Sequence, residues 1–258
     1  MVVAGIDIGA GTTKAVIMRG NQILASDIIP TSYNIKKTSE QSIKKVLEKA
    51  NLVFEDLERV VSTGYGRHSI CFTNKAISEI TCHAKGVHFV IPQVELIIDI
   101  GCQDSKAIRI NREGDVTDFV MNDKCAAGTG RFLEVMAGVL GLKLDELGPE
   151  SLKSTNPSDI SSTCTIFAES EVVALRAQGL SREDLVAGIH KSIAKRVSYM
   201  ALSLGLEGKK VAFTGGVSKN PGVIEALEEQ IGQKISVPKE PQLTGALGAA
   251  LAAQSKSL

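Results

Sequence analysis

The residues best suited to chemistry stand in two short matching runs. Residues 5–18 read GIDIGAGTTKAVIM and residues 97–110 read IIDIGCQDSKAIRI. The second run follows the first at a constant offset, which pairs Asp7 with Asp99, Gly9 with Gly101 and Lys14 with Lys106. In each, an apolar strand passes through a glycine-bearing polar tip into a second apolar strand, the pattern of a β-hairpin. Gly9 and Gly11 let backbone N–H groups come close to an anion, and Thr12 and Thr13 add hydroxyl donors. Lys14 is either a positive charge for that anion or a solvated strand residue. Asp7 and Asp99, just ahead of each tip, are hard oxygen donors suited to holding Mg2+ through water. Gln103 and Asp104 could orient an attacking water or the shell of the metal. The chemistry these types suggest is the binding and cleavage of a phosphate chain, and a repeat implies one structural unit used twice.

A third glycine turn lies in VAFTGGVSKN (211–220). An apolar strand runs into Thr-Gly-Gly, and a helix follows with Pro221 in its first turn. Gly215 and Gly216 remove side chains where a flat ring could lie against the backbone. TGALGAALAA (244–253) is a helix of small residues, read as close helix packing.

Of five cysteines, Cys125 and Cys164 stand just before apparent helix starts. A helix N-terminus offers N–H groups and the positive end of a dipole, which favours a thiolate. Each is therefore either a metal-ligating thiolate or an ordinary buried cysteine. Cys71 and Cys82 belong to no ligand-like run, and Cys82 is read as core. An odd count, with no CxxC, argues against both a disulfide framework and a zinc ribbon.

The elements that must position these residues follow from periodicity. Strands are expected at 2–9, 13–19, 22–28, 58–62, 95–100, 105–110, 116–120, 210–214 and 234–237. Helices are expected at 38–51, 73–86, 129–140, 166–178, 182–205, 222–231 and 244–254. Leu185, Ile189, Ile193, Val197, Met200 and Leu204 carry the stripe of the longest helix, and 149–160 reads as a loop. Twenty-nine basic and 29 acidic residues balance to zero net charge. That excludes a general nucleic-acid or membrane-surface binder, which needs a basic surplus. No apolar run approaches the ~20 residues of a membrane span, and the N-terminus has no signal-peptide pattern, so a cytoplasmic protein is expected.

The order DIGAGTTK, IIDIGCQDSK, FTGGVSKN and GALGAALAA resembles the actin, sugar-kinase and heat-shock chaperone ATPase superfamily. The resemblance implies an α/β fold of two ribonuclease-H-like lobes around a nucleotide cleft. Lobe I would be 1–95 plus 244–258, and lobe II 96–243. The two hairpins resemble phosphate loops and FTGGVSKN an adenosine motif. This places Gly11, Thr12, Thr13, Lys14, Asp7, Asp99, Gly128, Thr129, Gly215, Gly216, Val217, Asn220 and Gln242 with the nucleotide. Gln103 and Asp104 become the catalytic pair.

The runs NDKCAAGTGRFLE and SSTCTIFAESEV, with TGYGR (63–67) and ISEITCHAKG (77–86), resemble activator ATPases of 2-hydroxyacyl-CoA dehydratases and ATPase subunits of benzoyl-CoA reductases. That resemblance implies ATP and Mg2+, and one [4Fe-4S] cluster per homodimer held by Cys125 and Cys164 of each chain. It also implies electrons taken from reduced ferredoxin or flavodoxin and passed to an iron–sulfur dehydratase. Cys102 departs from the family's usual glycine, which opens a subgroup serving a double-cubane cluster protein as partner. A small-molecule kinase and a non-catalytic nucleotide sensor on the same fold are the alternatives.

Overall fold

The computed structural model describes residues 1–161 and 164–255. Ser162 and Thr163 of the second cysteine motif, and residues 256–258 at the end of the expected first lobe, lie outside them. The first of two units holds 1–95, 109–117 and the residues from Pro238 onward. It contains β1 (Val2–Ile8), β2 (Thr12–Arg19), β3 (Gln22–Pro30), α1 (Ile35–Ala50), β4 (Arg59–Thr63), β5 (Lys75–Ala76) and α2 (Glu79–Val90). The strands form one sheet in the order β3-β2-β1-β4-β5, antiparallel through the hairpins and parallel from β1 to β4 to β5.

α1 starts at Ile35 rather than 38, because the Asn34 side chain accepts from the Lys37 amide and caps it. α2 starts at Glu79 rather than 73. Ser78 caps it by accepting from the Thr81 amide at 3.2 Å. The residues before it, Lys75 and Ala76, pair with Val61 and Ser62 of β4 as a short strand instead.

The second unit spans 96–108 and 118–237. Its elements are β6 (Leu96–Ile100), β7 (Ser105–Ile110), β8 (Val116–Asn122), α3 (Gly130–Leu140), α4 (Leu147–Ser151), α5 (Thr165–Ala177), α6 (Arg182–Ser203), β9 (Val211–Thr214) and α7 (Pro221–Ile231). The sheet order is β8-β7-β6-β9, with β9 parallel to β6. Leu96, Ile98, Ile100 and Phe213 of the sheet share one core with Phe132, Leu133 and Met136 of α3, Leu185, Ile189 and Ile193 of α6, and Leu227 of α7. Each such side chain contributes about 1.5–3 kcal/mol on burial. The expected loop at 149–160 begins inside α4. The expected strand at 234–237 reduces to a bridge between Ser236 and Ala212.

The last helix, α8 (Thr244–Ala253), belongs to the first unit. It shares a core with Val3, Val16, Met18, Val61 and Cys82, while Ala4, Ile6, Ile8 and Ile17 cluster with Ile43, Val46 and Leu47 of α1. Alternation along β1 thus serves two opposite cores. Glycines carry the close approach. A Cβ on Gly248 would collide with the Cys82 carbonyl, one on Gly86 with that of Thr244, and one on Gly5 with that of Ala246. Residues 109–117, expected with the second lobe, group with the first unit: Ile110 donates to the Glu95 carbonyl, and Gly114 (φ +80°) lies against the His88 ring.

Candidate functional site

In the first hairpin Asp7 stands opposite Lys14 and Ile8 opposite Thr13, leaving residues 9–12 as the tip. The Gly9 amide donates to the Thr12 carbonyl at 3.1 Å. Lys14 is not a solvated residue: its Nζ lies 3.1 Å from Asp7 Oδ2 and its side chain is 13% exposed. Thr13 is buried. The Thr31 hydroxyl donates to the Gly9 carbonyl at 2.8 Å and lies 2.9 Å from Thr13 Oγ1, so Thr13 donates to Thr31. Thr31 also donates its amide to the Gly11 carbonyl. Thr13 therefore braces the tip from within, while Gly11 and Thr12 are half-exposed on it. Thr31 went unseen in the sequence because it lies outside the repeat, one residue past β3.

The second hairpin repeats these bonds. The Gly101 amide donates to the Asp104 carbonyl at 2.9 Å. Lys106 Nζ lies 3.3 Å from Asp99 Oδ2 and 2.8 Å from Asp104 Oδ2, with all three side chains buried. Asp99 Oδ1 also accepts from the Thr214 hydroxyl at 2.7 Å. Gln103 is exposed at the tip and Cys102 half-exposed beside it. The first two amides of α3, from Gly130 and Arg131, donate to the Gly101 and Cys102 carbonyls, each at 2.8 Å. Just before them, Thr129 is buried and donates to the Ala126 carbonyl. Gly128 holds φ +83° with the Arg196 side chain close against it.

In the 215–220 turn, Gly215 is required by φ +85° and because a Cβ there would collide with the Ile100 carbonyl. Gly216 is the exposed glycine, and Val217 is buried. Asn220 caps α7: its Oδ1 accepts from the Gly222 and Val223 amides at 3.0 and 3.1 Å. Gly215, Gly216, Val217 and Asn220 thus share one turn of the second unit. Gln242 lies half-buried before α8, in the first unit.

The cysteines separate by environment. Cys82 is buried, and that burial pushes its thiol up to about 12, so it is core as expected. Cys164 is the residue preceding α5, with extended backbone, and its carbonyl accepts from the Ala168 amide. Cys125 lies five residues before α3, in a turn that Asn122 holds by donating to the Cys125 and Ala127 carbonyls. The first amides of α3 go to the second hairpin tip, so Cys164 stands at a helix start and Cys125 does not. Both thiols are free and half-exposed.

Two α/β units, each built on a hairpin bearing the same Asp–Lys pair, define an actin-like ATPase fold. A hexokinase of the ROK type from Thermus thermophilus shares that fold at TM-score 0.53 and 13% identity. The chain belongs to the BadF/BadG/BcrA/BcrD ATPase family, whose model matches residues 4–253. It is 47% identical to the 2-hydroxyisocaproyl-CoA dehydratase activator of Clostridioides difficile, over 97% of this chain and 94% of that protein. It is 45% identical to the (R)-2-hydroxyglutaryl-CoA dehydratase activating ATPase of Acidaminococcus fermentans, over 98% and 97% of the two chains. The structure of the Clostridium difficile activator with bound ADPNP superposes with TM-score 0.92, covering 98% of this chain and 94% of that one.

Proposed function

We propose that this chain hydrolyses Mg·ATP and couples hydrolysis to passing single low-potential electrons to a partner enzyme, an iron–sulfur 2-hydroxyacyl-CoA dehydratase. A double-cubane cluster protein is the variant partner that Cys102 suggests. The observation that carries the reading is similarity along nearly the whole chain to proteins named as dehydratase activators. The kinase reading gains nothing comparable, since likeness to a hexokinase at 13% identity is a likeness of fold.

In this reading each hairpin tip is a phosphate-binding turn, and the 215–220 turn is an adenosine-binding one. Thr12 and Lys14 meet phosphate, Gly215, Gly216 and Val217 lie along the adenosine, and Gln242 stands beside it. Gly128 and Thr129 shape the turn ahead of α3. Asp7 and Asp99 keep acceptor capacity beyond their lysines, which suits contact with Mg2+ through water. Gln103 is exposed where it can orient a water, and Asp104 is held by Lys106 behind it. The Gly101 and Cys102 carbonyls are hydrogen-bonded to the first turn of α3. A change at the tip on loss of the γ-phosphate would therefore pull on the turn that carries Cys125.

Cys125 and Cys164 fit a cluster as free, half-exposed thiols on either side of α3 and α4 in sequence. They would hold a [4Fe-4S] cluster, which supplies one-electron storage when bound. A cubane needs four thiolates, so a second copy of the chain would give the other two. Reduced ferredoxin or flavodoxin would be the donor, and the compartment cytoplasmic.

The test is anaerobic purification followed by iron and sulfide analysis. The expected result is a brown homodimer with about two irons per chain, which bleaches in air and activates a dehydratase only with ATP. A Cys125→Ser, Cys164→Ser double variant should be colourless. Full iron and sulfide in that variant, or a colourless monomer after reconstitution of the unaltered chain, overturns the reading.

A further inference from the structure

One buried polar network of the second unit has a single consistent hydrogen arrangement. His190 of α6 is 1% exposed. Its Nε2 lies 3.2 Å from Asn220 Nδ2, and its Nδ1 lies 3.0 Å from Ser151 Oγ of α4. The Asn220 amide cannot be flipped, because its Oδ1 accepts from the Gly222 and Val223 amides. Its nitrogen can only donate, so His190 Nε2 must be the unprotonated acceptor. A neutral imidazole then carries its hydrogen on Nδ1 and donates it to Ser151 Oγ. The Ser151 hydroxyl passes its own hydrogen to the Gly148 carbonyl at 2.9 Å. Asn220, His190 and Ser151 each pass one hydrogen to the next acceptor along this chain, and no other assignment makes all three bonds.

We infer that His190 is a positioning residue for nucleotide binding, which as the neutral Nδ1-protonated imidazole holds the Asn220 amide and through it the 215–220 turn. The inference rests on the reading above in one respect, that this turn receives the adenosine. Asn220 is the last residue of the turn and the cap of α7, so its orientation sets both the exit of the turn and the entry of the helix. The packing leaves no slack: a Cβ on Gly222 would collide with Ser151 Oγ and lie 2.6 Å from His190 Nδ1. A protonated His190 would face one N–H donor with another inside a buried site, which costs the desolvation of both. Burial accordingly pushes the imidazole down to about 4, so it stays neutral at ordinary pH.

The experiment uses the full-length protein purified anaerobically, a non-hydrolysable ATP analogue and titration calorimetry at pH 7. His190→Leu removes the acceptor and should weaken binding about tenfold, the value of one buried hydrogen bond. His190→Gln can present a carbonyl where Nε2 stood and should remain within about threefold of the unaltered chain. Nitrogen chemical shifts of the imidazoles give an independent readout, tractable with four histidines in the chain. His190 should show a protonated Nδ1 and a bare Nε2 at pH 7. A folded His190→Leu variant that binds as tightly as the unaltered chain overturns the inference, as does a hydrogen on Nε2. Should His190→Leu fail to fold, the shifts and the His190→Gln affinity still decide it. If the unaltered chain binds no adenine nucleotide, the functional reading fails and takes the inference with it, a result no variant can imitate.

Discussion

The ammonium of Lys106 lies 2.8 Å from the Asp104 carboxylate, with the Lys106 side chain 3% and the Asp104 side chain 6% exposed. The same ammonium holds Asp99 at 3.3 Å. One buried cation thus serves two carboxylates, both tied to the second hairpin tip. Removing it takes the shared cation from two buried carboxylates, and such losses cost about 3–5 kcal/mol. Lys106→Met should therefore lower unfolding stability by about that much. Lys14→Met, which releases only Asp7 from a partly open lysine, should cost about 1–3 kcal/mol. Urea unfolding of both variants checks the order. Equal losses would mean that the two hairpins are not the matched but unequal pair their geometry describes.

The close approach of α8 to α2 gives a second, opposite-signed comparison. A methyl group on Gly248 would run into the Cys82 carbonyl, whereas one on Gly138, exposed on α3, meets nothing within 4 Å. Gly248→Ala should destabilise by about 3 kcal/mol through overpacking. Gly138→Ala should stabilise by about 0.5–1 kcal/mol, the helix-propensity difference. Thermal unfolding of the pair reads both signs at once.

What the sequence disclosed and what it hid divide along a physical line. The hairpins were legible because Asp7/Asp99, Gly9/Gly101 and Lys14/Lys106 recur in register and local alternation suffices to form them. The helix from Arg182 was legible because its apolar stripe is long. β5 was hidden because Lys75 and Ala76 are a strand only by pairing with β4. α4 was hidden because its stability is tertiary, with Glu150 held by Arg182 and Ser151 by His190. A lone histidine and a lone threonine carry no pattern, so His190 and Thr31 became visible only with their partners. The glycine-turn residues were legible as types, but their backbone setting was not: Thr13 braces the first hairpin tip through Thr31, and Gly215 packs against the Ile100 carbonyl.

His190 also gives the acid side of the stability curve a distinct shape. Its folded value is about 4 against an ordinary 6.5, and burial is the sole cause, with no charged neighbour contributing. The unfolded chain takes up the proton that the folded chain refuses, so stability from this group is complete above about pH 6.5. It falls as pH drops through the interval and is lost by about pH 4. The carboxylates held low, those of Glu150, Asp184 and Glu228, act at more acidic pH. The urea midpoint should therefore begin to fall near pH 6.5, ahead of the decline that Glu150, Asp184 and Glu228 contribute. In His190→Gln that early decline should vanish while the later one remains. A decline of unchanged slope between pH 6.5 and 5 in the variant would assign it elsewhere.

Gln103 and Asp104 are neighbours in sequence but differ in setting, and that difference separates orientation from scaffold. Gln103 is exposed at the tip, whereas Asp104 is buried and charge-paired behind it. If Gln103 orients the attacking water, its loss misplaces the nucleophile without disturbing the fold, and such misplacement costs roughly a hundredfold in rate. Gln103→Ala should therefore lower kcat for ATP hydrolysis by about that factor, with KM and the unfolding midpoint nearly unchanged. Asp104→Asn removes a charge that Lys106 counters, so it should lower kcat and stability together. Steady-state hydrolysis and urea unfolding of the two variants make the comparison. A Gln103→Ala protein with full kcat would remove the amide from the chemistry and leave Asp104 and the loop backbone to position the water.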